Sequence, residues 1–381
     1  MTSSYSSLFE SFQLKSGVEL KNRFVMAPMT NCSSNEDGTV SSAELAYYAR
    51  RCQGVSMVIT ANTYVTPNGK GFPGQFSGDS DAMIPSLRSL AQTIQAQGAK
   101  AVLQICHNGR HCPPSLVPNG DIVSASEVAS NQDQVGGASP RALTEIEVEE
   151  IISAFGETTR RAIEAGCDGV EIHGANGYLI QQFFSPHTNL RNDKWGGSLE
   201  KRMAFPLAIV DEVKRVVVAH AREPFIVGYR FSPEEDTTPG ITMVETFALV
   251  DALADKDLDY LHISLNDFRS LPRRGADESR TRVEWIQERI NGRVPLIGVG
   301  SIRTADDARD ALQLGLPLIA IGRELIIDPD WVQKVKENRL SEISTVISKQ
   351  DQAKLVIPDP LWNLIRNRTG WFPVAEETAS K

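Results

Sequence analysis

The chain lacks a CxxC pair. Its five cysteines, Cys32, Cys52, Cys106, Cys112 and Cys167, are odd in number and scattered. That argues against a zinc site or an iron–sulfur cluster, and no metal is expected. Reduced thiols in a cytoplasmic protein are the simplest account. Positive charge is also short: 39 Lys and Arg face 48 Asp and Glu, for a net charge of −9. Such a balance disfavours nucleic acid or an anionic membrane as a partner. No apolar run is long enough to span a bilayer. The start, Met1-Thr-Ser-Ser-Tyr5, lacks the basic and apolar regions of a signal peptide. What is present is 41% hydrophobic and 23% charged residues, a soluble globular composition. At 381 residues the chain is long for one domain, but an α/β barrel with insertions reaches this length.

Short apolar runs alternate with helical patterns. Phe12–Leu14 and Val18–Leu20 flank Lys15-Ser-Gly17 and predict a small hairpin that could close the bottom of a barrel. Core strands are expected at 23–27, 57–61, 100–105, 169–172, 225–230, 260–264, 295–299 and 318–321. Helices are expected between them, several with a marked start. Thr144-Glu-Ile-Glu147 is a capping-box pattern, Thr304-Ala-Asp-Asp307 is a cap, and Pro85 falls in a first turn. Asp328-Pro329 predicts the start of a final helix, with proline at its first position. A long polar stretch, His107 to Arg141, follows the third strand. Loops of that length are usually functional or mobile. Eight strands alternating with helices predict a parallel (β/α)₈ TIM barrel with an N-terminal hairpin. One domain over 1–381 is expected, with an extension from about 341 to 381. Trp362, Trp371 and Phe372 in that extension should pack on the barrel or on a second subunit, which would make a homo-oligomer.

In such barrels chemistry sits at the C-terminal strand ends. Those ends hold Pro28-Met29-Thr30, Ala61, Gln104, His173, Arg230, Gly300-Ser301 and Gly322-Arg323. The last two pairs follow strands seven and eight, a frequent phosphate position. Gly300 could bring amides to an anion, the helix near Thr304 would point its positive end there, and Arg323 adds a fork. The other reading of these glycines is a tight strand–helix turn. Arg230 closes an apolar strand, and its guanidinium needs an acceptor, either a structural carboxylate or a bound group. His173, Asn176 and Tyr178 cluster where the fourth strand ends, with Gly174 and Gly177 between them. A continuing strand would point His173 and Asn176 to opposite faces. The glycines allow the backbone to bend so that all three converge. An imidazole, a carboxamide and a phenol can hold an oxygen and deliver a proton. A helix entry with capping side chains is the alternative.

In order along the chain these residues resemble the Old Yellow Enzyme family of FMN-dependent NAD(P)H oxidoreductases. The similarity covers nearly the whole length. It includes Lys21-Asn-Arg-Phe-Val-Met-Ala-Pro-Met-Thr30, Leu103-Gln-Ile-Cys-His-Asn-Gly-Arg110 and Pro140-Arg-Ala-Leu-Thr144. Its strongest block runs from His173 through Phe184-Ser-Pro-His187 to Asn189-Leu-Arg-Asn-Asp193 and Gly196-Gly-Ser-Leu-Glu-Lys-Arg202. Gly298-Val-Gly-Ser-Ile302 and Ile321-Gly-Arg323 complete it.

The resemblance implies a barrel and an ene-reductase. NADH or NADPH would reduce FMN, which would then reduce the C=C bond of an enone; quinones and phenols are the other small ligands implied. By the same resemblance Ala27, Pro28, Met29, Thr30, Ala61, Gln104 and Arg230 would contact the flavin ring. Gly300, Ser301, Gly322 and Arg323 would hold its phosphate. His173 and Asn176 would bind the substrate oxygen, and Tyr178 would be the proton donor. Cys32, Cys106 and Trp195 depart from common family residues, and Cys32 bears on pocket shape. Three rivals remain: a longer iron–sulfur relative, a flavin-free Schiff-base aldolase, and a non-catalytic flavin-binding stress protein. The cysteine pattern and the short C-terminus oppose the first. No lysine at a strand's C-terminal end favours the second, since Lys100 starts its strand.

Overall fold

The computed structural model describes residues 4–129 and 139–375. Eight strands close a parallel ring: β1 (Phe24–Met26), β2 (Met57–Ile59), β3 (Lys100–Cys106), β4 (Gly169–Gly174), β5 (Ile226–Phe231), β6 (Tyr260–Ile263), β7 (Leu296–Val299) and β8 (Leu318–Ile321). Neighbours in sequence are neighbours in space. β8 pairs with β1, and β3 pairs with β4 through Gly169↔Val102 to Ile172↔Ile105, so no open edge remains in the ring. The TIM barrel expected from the alternation is the observed architecture.

The strands are apolar on both faces because both are covered. Val25, Met57, Val102, Ile226, Ile297 and Leu318 fill the interior, and the hairpin residues Leu14, Val18 and Leu20 join them from below. The hairpin pairs Phe12 with Leu20 antiparallel, and Asp259 at the foot of β6 accepts from Ser16 N at 2.7 Å. The hairpin is therefore a plug for the N-terminal end.

The outer ring includes α1 (Ser42–Arg51), α2 (Ile84–Gln95), α3 (Glu145–Ala165), α4 (Leu179–Phe184), α5 (Leu199–His220), α6 (Met243–Ala254), α7 (Arg282–Ile290) and α8 (Ala305–Gln313). Both capping patterns hold: Thr144 and Glu147 close a capping box on α3, and Thr304 and Asp307 close one on α8; Pro85 stands in the first turn of α2. The long loop after β3 contains short 3₁₀ turns and one strand pair, Val123↔Arg141; its residues 130–138 lie outside the described residues.

The expectation for Asp328-Pro329 needs correcting. α9 (Arg323–Ile327) begins straight after β8, and the next helix, α10, runs Trp331–Lys336. Pro329 lies in the turn between them. Asp328, extended as a residue before proline tends to be, fixes that turn by accepting from Asp330 N, Lys334 Nζ and Ser344 N. Nor is α10 the last helix: the tail adds α11 (Asp359–Asn367). The tail packs on the barrel. Leu361, Trp362 and Phe372 are buried, and the buried Arg51 of α1 donates to Leu355 O at 2.7 Å and Leu325 O at 3.3 Å. Among the described residues no helix is long and apolar enough to cross a membrane.

Candidate active site

A cavity of about 880 Å³ opens at the C-terminal end of the barrel, within the range of small-molecule sites. Of the candidate residues, Ala27, Pro28, Met29, Thr30, Asn176, Tyr178, Arg230, Gly300, Ser301, Gly322 and Arg323 line it. Ala61, Gln104 and His173 do not line it directly. Ala61 follows β2 and donates its N–H to Tyr48 Oη. Gln104 is buried in β3, and His173 is buried at the end of β4, edge-on to Tyr178 with ring centroids 5.0 Å apart.

The turn that gathers His173, Asn176 and Tyr178 differs in one respect from expectation. β4 continues through Gly174, whose missing Cβ makes room for Tyr229: a Cβ there would lie 2.3 Å from the Tyr229 hydroxyl. The bend comes two residues later, where Asn176 (φ 59) and Gly177 (φ 76) take left-handed conformations in succession. Ser232 Oγ accepts from Asn176 N at 2.8 Å and holds the first of these. Tyr178 then stands at the start of α4 without a side-chain cap bond, so the helix-capping alternative fails for it.

The hydrogen bonds also fix which polar atoms of this turn are engaged and which are left over. Ala175 N donates to His173 Nδ1 at 3.2 Å. Nδ1 is therefore the acceptor, and the neutral ring carries its proton on Nε2. Burial, with Arg230 adding to it, pushes the imidazole down to about 3, so it stays neutral at ordinary pH. Asn176 Oδ1 accepts from Ser264 Oγ at 2.8 Å, which leaves its NH₂ as the free end. Ser264 in turn accepts from Arg230 Nη2 at 3.2 Å. Burial raises the Tyr178 phenol well above its usual range, so it is protonated. Two neutral donors and one protonated phenol thus share one turn.

Arg230 lines the cavity although only 8% exposed, and its Nε has no partner. A buried orphan donor of this kind calls for an acceptor in the cavity. At the other end Gly300 (φ 113) and Ser301 (φ 53) turn the backbone tightly after β7. A Cβ on Gly300 would lie 2.5 Å from Leu265 O, so only glycine fits. Arg323 gives one N–H to Trp371 O at 3.1 Å and forms no ion pair with a described carboxylate. A phosphate fits this set. Just before α8, the amides of Arg303 and Thr304 go to Asp307 Oδ2, and within it Asp307 N donates to Thr304 Oγ1. The cavity size, the orphan guanidinium and the glycine cradle beside Arg323 together suit an elongated planar group ending in a phosphate.

Several lining residues escaped the sequence reading. Ser264 was legible only as a strand end. His111 comes from the long loop, and Leu364, Arg368 and Trp371 come from the tail. A tail rich in aromatics was the only signal for the last three. A second cavity of about 860 Å³ adjoins the first and shares Asn176, Tyr178, Ser264 and Arg368 with it. Of the departures, Cys32 lines the first cavity, with its thiol pushed up to about 11 by burial and by Glu44. It is therefore a neutral wall, not a nucleophile. Cys106 and Trp195 are buried away from the cavity lining.

The chain is similar to several known proteins. A model of the NADH:flavin oxidoreductase / NADH oxidase family matches residues 7–342. The chain is 59% identical over 373 residues to a probable NADH-dependent flavin oxidoreductase, YqiG, of Bacillus subtilis (strain 168), covering 98% of this chain and 99% of that one. It is 41% identical over 361 residues to the NADH:acrylate oxidoreductase of Vibrio harveyi, covering 94% of this chain but only 36% of that protein. Among solved structures, morphinone reductase in complex with tetrahydroNAD superposes with a TM-score of 0.77 at 25% identity, covering 98% of this chain and 99% of that one.

Proposed function

Because the chain belongs to the NADH:flavin oxidoreductase / NADH oxidase family, we propose that it reduces the C=C bond of α,β-unsaturated carbonyl compounds. The coarser activity is established: it is an FMN-dependent NAD(P)H oxidoreductase of the Old Yellow Enzyme family. The observation that carries the finer reading is the donor pair, His173 Nε2–H and the Asn176 NH₂, set beside a protonated Tyr178.

When bound, FMN supplies the hydride chemistry between the nicotinamide and the acceptor. Ala27, Pro28, Met29, Thr30, Ala61, Gln104 and Arg230 would hold its ring. Gly300, Ser301, Gly322 and Arg323 would hold its phosphate. His173 and Asn176 would place two hydrogen bonds on the carbonyl oxygen of the acceptor and stabilise the negative charge that develops there. The same pair would hold a phenol as its phenolate. Tyr178 would give its proton to the α-carbon as general acid. Quinones would serve as acceptors as well, their oxygens taking protons from water.

We take the chain as one barrel domain with the segment from about 341 as an extension that closes over the mouth. The free thiols and the charge balance support a cytoplasmic setting. The flavin-free aldolase reading falls with the family assignment.

The test begins with the purified protein, which should be yellow and release FMN identifiable by mass. Arg323→Ala should weaken that retention, because it removes a charged donor from the phosphate. A para-substituted phenol should give a long-wavelength charge-transfer band, and the His173→Ala/Asn176→Ala double variant should lose it. With NADH or NADPH the wild-type enzyme should turn over cyclohexenone many times. A protein that holds FMN and oxidises NADH or NADPH but leaves enones untouched would reject the ene-reductase reading.

A further inference from the structure

One carboxylate lies inside the barrel, below the cavity floor. Glu171, in the middle of β4, is fully buried, and so is His262 of β6. Glu171 Oε1 accepts from Gln104 Nε2 at 2.6 Å, and Oε2 meets His262 Nδ1 at 2.9 Å. The register brings them together: Glu171 stands opposite Gln104 across the β3–β4 pair. Gly228 lies opposite Glu171 on β5, and a Cβ there would lie 2.1 Å from the Tyr260 ring, so its absence admits that ring to the same layer.

A buried carboxylate is costly unless its oxygens are met. Here both are met, one by an amide and one by an imidazole. Burial pushes Glu171 up, yet the N–H of His262, the Arg230 charge and the Gln104 amide hold the carboxyl below its usual range. Glu171 is therefore ionised. Burial keeps His262 neutral. Its Nδ1–H faces Glu171, and its Nε2, which has no partner, is the bare nitrogen. The layer then carries one negative charge, on Glu171, and one positive charge, on Arg230, which reaches the cavity wall.

We infer that Glu171 is a positioning residue of the flavin site: it fixes the direction of the Gln104 amide and supplies the negative charge that balances Arg230. The inference rests on the FMN reading given above. Glu171 takes the Nε2 end of Gln104, so Oε1 is the end that would be left to accept from a bound group. Because two-electron reduction would add negative charge to a bound flavin, a fixed anion in the layer next to its site would make that reduction harder. Glu171 thus offsets part of the pull of Arg230 and holds the potential down.

The experiment compares bound FMN in the wild type and in Glu171→Gln, which keeps the shape and removes the charge. The midpoint potential is measured by dye-coupled reduction, and FMN dissociation by fluorescence. Glu171→Gln should shift the potential to a more positive value and loosen FMN, since the Gln104 amide is no longer held one way round. Gln104→Met removes the amide while leaving Glu171 ionised and less screened, so it should shift the potential to a more negative value. A role in packing alone would move both variants in one direction or move neither, and either result overturns the inference. If Glu171→Gln fails to fold, Gln104→Met decides: no negative shift overturns the inference. A wild type that holds no FMN would instead fail the flavin reading itself.

Discussion

Gln182 holds the carbonyl of Gly177: its Nε2 donates to Gly177 O at 2.7 Å. The neighbouring Gln181 takes the N–H of the same glycine on its Oε1 at 2.9 Å. Gln181 is tied down by Glu235, and Gln182 by Ser124 and Asn108. Consecutive glutamines on α4 therefore clamp the peptide groups on both sides of Gly177. The turn that presents Asn176 and Tyr178 is closed by one backbone bond, Tyr178 N to Ala175 O at 3.2 Å, and braced by these side chains.

Gln182→Leu should loosen this turn and take partners from Gly177 O, Asn108 O, Arg110 N and Ser124 Oγ. The expected stability cost is about 1–3 kcal/mol for each buried group left unmatched, measured by urea unfolding. Enone turnover should fall by more than FMN retention does, because no candidate phosphate or ring contact is touched. Unchanged enone kinetics in a folded variant would mean that the clamp does not position Tyr178.

Ser264 links Arg230 to Asn176 and determines which end of the Asn176 amide faces the cavity. Ser264→Ala frees that amide to turn its oxygen toward the ligand. The dissociation constant of a para-substituted phenol should rise about tenfold, the worth of roughly one hydrogen bond. Retention of FMN should stay near that of the wild type. A phenol affinity equal to wild type would detach Ser264 from this role.

Tyr178→Phe keeps the ring and removes the proton. Oxidation of NAD(P)H, followed by stopped flow without oxygen, should stay within several-fold of wild type. Reoxidation by cyclohexenone should slow by roughly two orders of magnitude or more, the usual worth of a positioned general acid. Reoxidation by a quinone should be much less affected. Equal slowing with both acceptors would remove Tyr178 from the proton-donor role.

Burial pushes His107 and His173 each down to about 3, from 6.5 for a free ring. Both are neutral in the fold and take up protons only when it opens. Stability is then full above pH 6.5 and falls as the pH drops toward 3, because the unfolded chain binds protons that the folded chain cannot. The slope is about 1.4 kcal/mol per pH unit for each ring. Unfolding free energies measured from pH 7 to pH 4.5 should show this decline. His107→Gln, which touches no candidate catalytic group, should make it shallower. A slope unaltered in that variant would place the acid sensitivity elsewhere.

The sequence by itself determined the barrel, because that signal is local and repeated. Each strand is an apolar run, and helix starts such as Thr144 and Thr304 carry their own caps, so no distant contact is needed to place them. The strand-end residues Thr30, Arg230 and Gly300 were legible for the same reason, since a strand's direction fixes which end faces the mouth. The start of α10 was misplaced because Asp328 is tied down by Ser344, sixteen positions away. Tertiary structure alone decided the rest. Gly174 looked like a hinge, but its role is to admit Tyr229. Glu171 passed as one polar residue in an apolar strand until Gln104 and His262 met it across the barrel. The tail's place over the cavity, with Arg368 and Trp371 in the wall, depends on the buried Arg51 and on packing between segments more than 300 residues apart. Such contacts join residues that share no periodicity, and a chain read in order does not reveal which of its distant polar groups will meet once burial forces each to find a partner.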